Sequence, residues 1–184
     1  MRSYIERAID FIHEIDPLIN NIHSYASVFY AVAEFNNTYH RNVIFCNGAV
    51  RYALLTSDYV IKFDYEPEEV ESLGGCEDEV KIYEKAQEEG FGYLFCPITR
   101  YVYGHRFYYI MPRVRGVSTA GCFAWNFMTE EEEAWCKGIG LSDLHEDNYG
   151  FRDGHVCLID YACHFGYEDC ESSYDFYNSD EEEK

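Results

Sequence analysis

The first forty residues carry the hydrophobic spacing of helices. Near the start of the chain, apolar side chains recur three and four positions apart, which is typical of a helix with one buried face. These side chains are Ile5, Ala8, Ile9, Ile12 and Ile15. Asp16-Pro17 interrupts the pattern, and because proline is well tolerated in a first helical turn, we predict a second helix that begins there and ends at Asn36-Asn37. Residues 1–40 are therefore predicted to form a helical extension.

The pattern changes to strand-like alternation in "NVIFCNGAVRYALLTSDYVIKFDY". This segment is rich in β-branched and aromatic residues, which favour strands. Asn47-Gly48 is a strong signal for a two-residue hairpin turn, and "TSD" predicts a second turn. We predict three antiparallel strands, at 42–46, 49–55 and 59–64.

A helix and two more strands are predicted next. The helix covers 76–89 and ends at Gly90, since glycine commonly terminates helices. Two apolar strands follow in "PITRYVYGHRFYYIMPRV", on either side of Gly104, and Pro112 closes the second. Residues 41–112 are thus expected to form a five-stranded antiparallel sheet, with one helix inserted after the third strand.

The remainder divides into a smaller unit, 113–167, and an acidic tail, 168–184. Thr129 is a good N-cap for a short helix whose first turn is acidic. Asp153-Gly154 predicts a turn between strands 149–152 and 155–160. The chain is therefore expected to be of the α+β class.

The charge is strongly negative, with 34 acidic against 14 basic side chains and a formal net charge of −20. This balance argues against direct nucleic-acid binding, which needs cations to neutralise phosphates, and makes a basic protein partner plausible. Apolar runs fall short of the roughly 20 residues that cross a bilayer, and the N-terminus lacks the pattern of a signal peptide. We expect a cytoplasmic protein without membrane contact, whose eight cysteines are reduced.

The stretch "SDLHEDNYGFRDGHVCLIDYA" contains a candidate chemical site. The hairpin folds Asp160 back towards the loop, so that Asp143, Asn148 and Asp160 converge. Magnesium prefers hard oxygen ligands such as carboxylates, together with phosphate and water. Asn148 and Asp160 are therefore predicted metal ligands, and Asp143 is the predicted residue that orients or deprotonates an acceptor hydroxyl.

A cation for the phosphates is predicted at Lys62. It lies in the apolar strand "DYVIKFDY", where an unpaired charge would be costly to bury. Glu79, early in the helix at 76–89, is its predicted partner, and the pair would direct the ammonium towards a nucleotide.

Segments of the first half resemble the protein-kinase-like superfamily. "YVIKF" is similar to the strand that carries the phosphate-contacting lysine, Lys62, and "EDEVKIYEKAQEEG" to the helix that carries its glutamate partner, Glu79. "RFYYIMPRV" resembles the strand leading to the adenine-binding hinge, near Met111. The hairpin "CNGAV" stands where the family has its glycine-rich loop, which leaves Gly48 as the phosphate-contacting glycine.

The second half extends the resemblance to about residue 166. "LSDLHEDN" is similar to the catalytic loop, from Asp143 to Asn148, in the form found in aminoglycoside and choline phosphotransferases. "LIDYA" is similar to the strand that ends in the magnesium-binding aspartate, Asp160. The resemblance implies a minimal kinase-like protein of the kind found in bacteria and their viruses. It would bind ATP and Mg²⁺ and transfer phosphate to a protein or small-molecule hydroxyl.

The chain also departs from the family. Leu141 stands where a histidine is common, the hairpin lacks the full glycine motif, and Tyr161-Ala162 replaces Phe-Gly. The C-terminal lobe is expected to be truncated, and the N-terminal helices could partly replace it by packing under the catalytic loop. An alternative therefore stays open: an inactive kinase-fold protein that inhibits or binds a basic, nucleic-acid-binding partner through its acidic surface.

Overall fold

The fold was determined as a computed structural model, and it contains helices and strands in the order of an α+β protein. The predicted acidic tail and the end of the smaller unit, 162–184, lie outside the described residues. The structure describes residues 2–19, 24–48, 51–64, 75–116 and 122–161.

The N-terminal extension contains two helices, α1 (Tyr4–Ile19) and α2 (Tyr25–Tyr39). The predicted start of the second helix at Pro17 is wrong, because Pro17 lies in the last turn of α1. Fully buried Ile15 and Ile19 flank it, so apolar packing outweighs the single hydrogen bond that proline removes. None of the helices in the described ranges combines the length and the apolar character that a bilayer crossing requires.

The second helix also continues beyond its predicted end at Asn36-Asn37. The Asn36 side chain leaves the helix intact and instead bonds the backbone of Val43, donating to its carbonyl at 2.8 Å and accepting from its N–H at 2.9 Å. His40, with a φ of 51°, then provides the left-handed residue that ends α2. Asn36 thus ties the helix to the start of the sheet.

The predicted five-stranded antiparallel sheet with one inserted helix is confirmed. The strands lie in the order β1-β2-β3-β5-β4, and α3 (Cys76–Glu88) connects β3 to β4. The strands are β1 (Ile44–Asn47), β2 (Arg51–Leu55), β3 (Tyr59–Asp64), β4 (Thr99–Tyr103) and β5 (Arg106–Pro112).

Asn47 belongs to a strand, so the predicted turn at Asn47-Gly48 is wrong. Asn47 belongs to β1 and pairs with Tyr52, and the Gly48 N–H donates to the Arg51 carbonyl at 2.9 Å. Residues 49 and 50, between these two bonded residues, lie outside the described residues. This register places the rings of Phe45 and Tyr52 in contact, with centroids 5.2 Å apart, and the packing overrides the local turn signal.

A smaller three-stranded sheet follows, in the order β6-β7-β8, with α4 (Glu130–Gly138) before β7. Thr129 caps α4 as predicted, in a reciprocal capping box with Glu132. β8 ends at Leu158, earlier than the predicted 160. The N–H groups of Ile159 and Asp160 leave the strand ladder to donate to the Asn148 carbonyl. The three strands are β6 (Arg115–Gly116), β7 (Tyr149–Arg152) and β8 (His155–Leu158).

The two faces of the large sheet pack against different elements. Side chains alternate along a strand, so Tyr108 and Ile110 of β5 pack with α1 and α2, whereas Tyr109 and Met111 pack with α3 and the smaller sheet. The expectation that the N-terminal helices pack under the catalytic loop is therefore wrong. They cover the opposite face of the sheet, because that face carries the apolar side chains that match the α1 stripe.

Candidate functional site

Lys62 and Glu79 form a buried ion pair between β3 and α3. The Lys62 ammonium lies 2.7 Å and 3.0 Å from the two carboxylate oxygens of Glu79, whose side chain is fully buried. Asp64, at the end of β3, accepts a hydrogen bond of 3.1 Å from the first N–H of α3, at Cys76. This contact anchors the start of α3 beside β3, and one helical turn later Glu79 faces Lys62.

Arg51 joins this pair, although the sequence analysis did not single it out. Its guanidinium contacts Asp160 directly and lies 3.5 Å from Glu79, and only 11% of its side chain is exposed. Strand alternation contains the signal that was missed: Arg51 shares a face with Ala53, and Ala53 is the cross-strand partner of Lys62. An arginine two residues from that position must lie beside the lysine.

Asp160 completes a cluster of two cations and two carboxylates, which we call the charged quartet: Arg51, Lys62, Glu79 and Asp160. The Asp160 carboxylate lies 3.9 Å from the Lys62 ammonium, which also donates to the Ile159 carbonyl at 2.7 Å. Burial alone would raise the pKa of Asp160, but Lys62 and Arg51 outweigh it and hold that pKa below its ordinary value. Asp160 is therefore an anion at neutral pH.

The other carboxylate of the charged quartet, that of Glu79, is fixed by hydrogen bonds inside the protein. Glu79 accepts the Tyr161 N–H at 3.1 Å in addition to the Lys62 ammonium. Burial raises the pKa of its carboxyl, against the two cations that favour the charged form. Glu79 has no exposed surface and lies as an internal anchor beside Lys62; its predicted role towards a cofactor stays a prediction.

The loop with Asp143 and Asn148 lies directly against this cluster. The Asn148 side chain donates to the Asp143 carbonyl at 2.7 Å, and the backbone carbonyl of Asn148 accepts from the N–H groups of Ile159 and Asp160. His145 stabilises the loop, since its Nδ1 accepts the Asp147 N–H at 3.3 Å and its Nε2 lies 3.5 Å from an Asp143 oxygen. Asp143 itself is 80% exposed, so its carboxylate is open to a molecule in solution.

Met111 and Gly48 lie at the edges of the same region. Met111 is buried in β5, two residues beyond Tyr109, which is the cross-strand partner of Lys62. Residues two apart share a face of the sheet, so Met111 faces the side that carries Lys62. Gly48 directly follows β1, and its N–H donates to the Arg51 carbonyl at 2.9 Å. Their predicted roles towards adenine and phosphate stay predictions.

The predicted magnesium ligands are of the right chemical type. Among the described residues no group of three or more His, Cys, Asp or Glu side chains could hold a metal ion by itself. Asn148 and Asp160 are adjacent, however, and supply one amide and one carboxylate. Magnesium commonly binds one or two carboxylates and takes its other oxygens from phosphate and water. The residues thus fit a metal that the protein alone holds weakly and that takes further oxygens from a nucleotide.

A separate cavity of about 760 Å³ lies on the α1 side of the sheet. Its wall combines three arginines, Arg7, Arg41 and Arg113, with carboxylates such as Asp58, which pairs with Arg7 at 2.9 Å. None of the predicted site residues lines it. Within this wall Arg41 also has a carboxylate partner, Glu14 at 3.6 Å, whereas Arg113 donates to the Thr56 carbonyl at 2.6 Å.

Comparison with known proteins adds little. No family model matches the sequence, and no curated protein matches it. A solved structure with partial similarity is the crystal structure of WbdD, at a TM-score of 0.35 and 19% identity. The alignment covers 65% of this chain and 32% of that one, so this chain spans about a third of that chain's length. At this level, the similarity assigns neither a family nor an activity.

Proposed function

We propose that this protein has a kinase-like fold, binds ATP with Mg²⁺ and transfers the γ-phosphoryl group to a hydroxyl of a protein or small molecule. The observation that supports this most is the convergence of the charged quartet with the loop from Asp143 to Asn148. Phosphoryl transfer needs positioning and charge stabilisation more than covalent chemistry, and these residues can supply both.

Each residue has a defined role in the proposal. Lys62 neutralises the phosphates, and Glu79 fixes the Lys62 ammonium in place. Asn148 and Asp160 hold the magnesium ion, which neutralises charge on the phosphates and orients them. Exposed Asp143 orients the acceptor hydroxyl and accepts its proton.

The order of elements supports the same proposal. A five-stranded antiparallel sheet with α3 after β3 is followed by a smaller unit that carries a loop and a hairpin. The Lys–Glu pair spans β3 and α3, and the metal ligands come from the smaller unit. The proposed nucleotide site therefore lies at the junction of the two units, as in kinases.

A thermal-shift experiment tests the proposal. Because a ligand that binds only the folded state raises the melting temperature, Mg-ATP at about 100 times its dissociation constant should stabilise the wild type by about 2.7 kcal/mol. Asp160→Ala removes a metal ligand, and it should abolish this shift.

Glu84→Gln is the matched control, because it also removes one negative charge, from an exposed position on α3. Mg-ATP should raise the melting temperature of this variant by as much as that of the wild type. A wild-type protein whose melting temperature ignores Mg-ATP would show that it is not an ATP-dependent enzyme.

A second function is supported by the acidic surface of the smaller unit. Glu130, Glu131, Asp143 and Asp147 are all exposed there, in a chain of net charge −20. Such a surface suits a binding or inhibitor protein whose partner is basic. Calorimetry with a lysine-rich protein separates the two functions. Binding that survives both Asp143→Ala and Asp160→Ala, in a protein indifferent to Mg-ATP, would support the binder.

A further inference from the structure

The contact between Arg51 and Asp160 places a cation where the proposed metal must bind. Asp160 is the only carboxylate among the two proposed metal ligands, and in the structure Arg51 contacts it directly. A magnesium ion and a guanidinium compete for the same oxygens, since both bind carboxylates through short polar contacts. Metal binding at Asp160 therefore requires that this contact open.

The charge of the cluster supports such an exchange. The charged quartet contains two positive and two negative side chains, so it is neutral without ligand. When a magnesium ion takes Asp160, the Arg51 guanidinium, which is only 11% exposed, loses one of the two carboxylates it contacts and shares the other, Glu79, with Lys62. Two buried cations beside one anion are unfavourable, and the phosphates of the arriving nucleotide would supply new negative charge.

The position of Arg51 in the sheet is suited to phosphate contact. It is the first residue of β2, and its carbonyl accepts the Gly48 N–H at the base of the first hairpin. In the proposed fold this hairpin covers the phosphates, yet its sequence "CNGAV" has one glycine where a phosphate-binding loop usually has several. An arginine can replace backbone amides there, because its planar guanidinium binds phosphate through two parallel hydrogen bonds.

We propose that Arg51 has two successive partners. In the nucleotide-free protein it holds Asp160 and keeps the metal position closed. When Mg-ATP binds, magnesium binds the Asp160 carboxylate and the Arg51 guanidinium moves to the phosphates. There it donates the hydrogen bonds that the backbone amides of a glycine-rich loop would otherwise donate. The second half of this inference rests on the proposed function, whereas the first half concerns the metal alone.

Metal binding without nucleotide tests the first half. Mn²⁺ serves as the probe, measured by electron paramagnetic resonance on wild type and Arg51→Met. Releasing Asp160 from its charge-assisted partner should tighten Mn²⁺ binding about tenfold. In an Asp160→Asn background the same arginine substitution should have no effect, because the competing carboxylate is gone.

Nucleotide binding tests the second half. With saturating Mg²⁺, a fluorescent ATP analogue should bind Arg51→Met about tenfold more weakly than wild type. Arg51→Lys keeps the charge but not the two-point geometry, so its affinity should lie between the two. A purely structural role for Arg51 would weaken both ligands together, whereas the proposal requires opposite changes for metal and nucleotide.

Arg100→Met is the control for both measurements. Arg100 is an exposed arginine on β4 that pairs with Glu77 at 3.1 Å, away from the quartet. Its replacement should leave both affinities unchanged.

The outcomes separate this inference from the proposed function. If wild type binds Mg-ATP and Arg51→Met binds Mn²⁺ and nucleotide equally well, the role of Arg51 is wrong and the function stands. If no variant binds Mg-ATP, the proposed function fails together with the phosphate role of Arg51. The Mn²⁺ comparison still decides whether Arg51 closes the metal position.

Discussion

At the scale of single residues, Glu79 is the centre of the candidate site. It is fully buried and accepts hydrogen bonds from the Lys62 ammonium and the Tyr161 N–H, and Arg51 lies 3.5 Å away. Burying charges is unfavourable even when they are paired, so such a cluster is a poor device for stability alone. Its presence in the interior is better explained by the need to position Lys62.

Glu79→Gln should lower the free energy of unfolding by about 3–5 kcal/mol, because it removes one of the two carboxylates that balance the buried charges of Lys62 and Arg51. Urea denaturation measures the change. Glu133→Gln is the control, since Glu133 forms a surface pair with Lys137 on α4 and should cost about 0.5 kcal/mol or less. A loss for Glu79→Gln as small as that of the control would contradict the anchoring role.

At the scale of elements, the contact between α1 and the large sheet includes a buried polar pair in an apolar layer. The Tyr108 hydroxyl of β5 donates to Asp16 of α1 at 2.5 Å, and both side chains are buried. Around them pack Ile12, Ile15 and Ile61. Apolar packing attaches the helix, and the directional hydrogen bond fixes where along the helix it meets β5.

Tyr108→Phe should lower the free energy of unfolding by about 1–3 kcal/mol, since it removes the donor that Asp16 bonds in this buried layer. Chemical denaturation measures the loss. Tyr101→Phe provides a comparison. The Tyr101 hydroxyl on β4 forms a hydrogen bond of 2.7 Å with the more exposed His13, so its removal should lower the free energy of unfolding by less. Equal losses in the two variants would show that the Asp16 contact does not stabilise α1 on the sheet.

At the scale of the whole molecule, the described residues form two apolar cores on opposite sides of the large sheet. One core contains α1 and α2, and the other contains α3 and the smaller sheet. The charged quartet lies on the second side, where β3, α3 and the smaller unit meet. Stability contributed by the first core is therefore spatially separate from the candidate site.

Ile12→Ala should lower the free energy of unfolding by about 2–5 kcal/mol, because it opens a cavity at a fully buried position in the first core. Its affinity for Mg-ATP, measured well below the melting temperature, should equal that of wild type. Leu144→Ala is the counterpart in the second core, beside Asp143, and should weaken both stability and affinity. A parallel loss of affinity in Ile12→Ala would show that the two sides are coupled.

Local signals in the sequence were reliable where few contacts compete with them. The α3 boundaries, the Thr129 cap and the "TSD" turn follow from neighbouring residues, and the structure contains all three. Errors arose where packing between distant segments overrides a local preference. Pro17 stays inside α1 because of buried neighbours, and Asn47 enters β1 because Phe45 packs on Tyr52.

The sequence by itself determined the α+β class, the five strands with their inserted helix, and the need of Lys62 for an anionic partner, since an apolar strand cannot hold an isolated ammonium. Only the tertiary structure decided that α1 and α2 cover the far side of the sheet, and that Arg51 reaches Asp160 across 109 positions of chain. Periodicity shows which side chains share a face, but it does not show which other element packs on that face. That choice depends on packing and charge pairing between segments distant in the sequence.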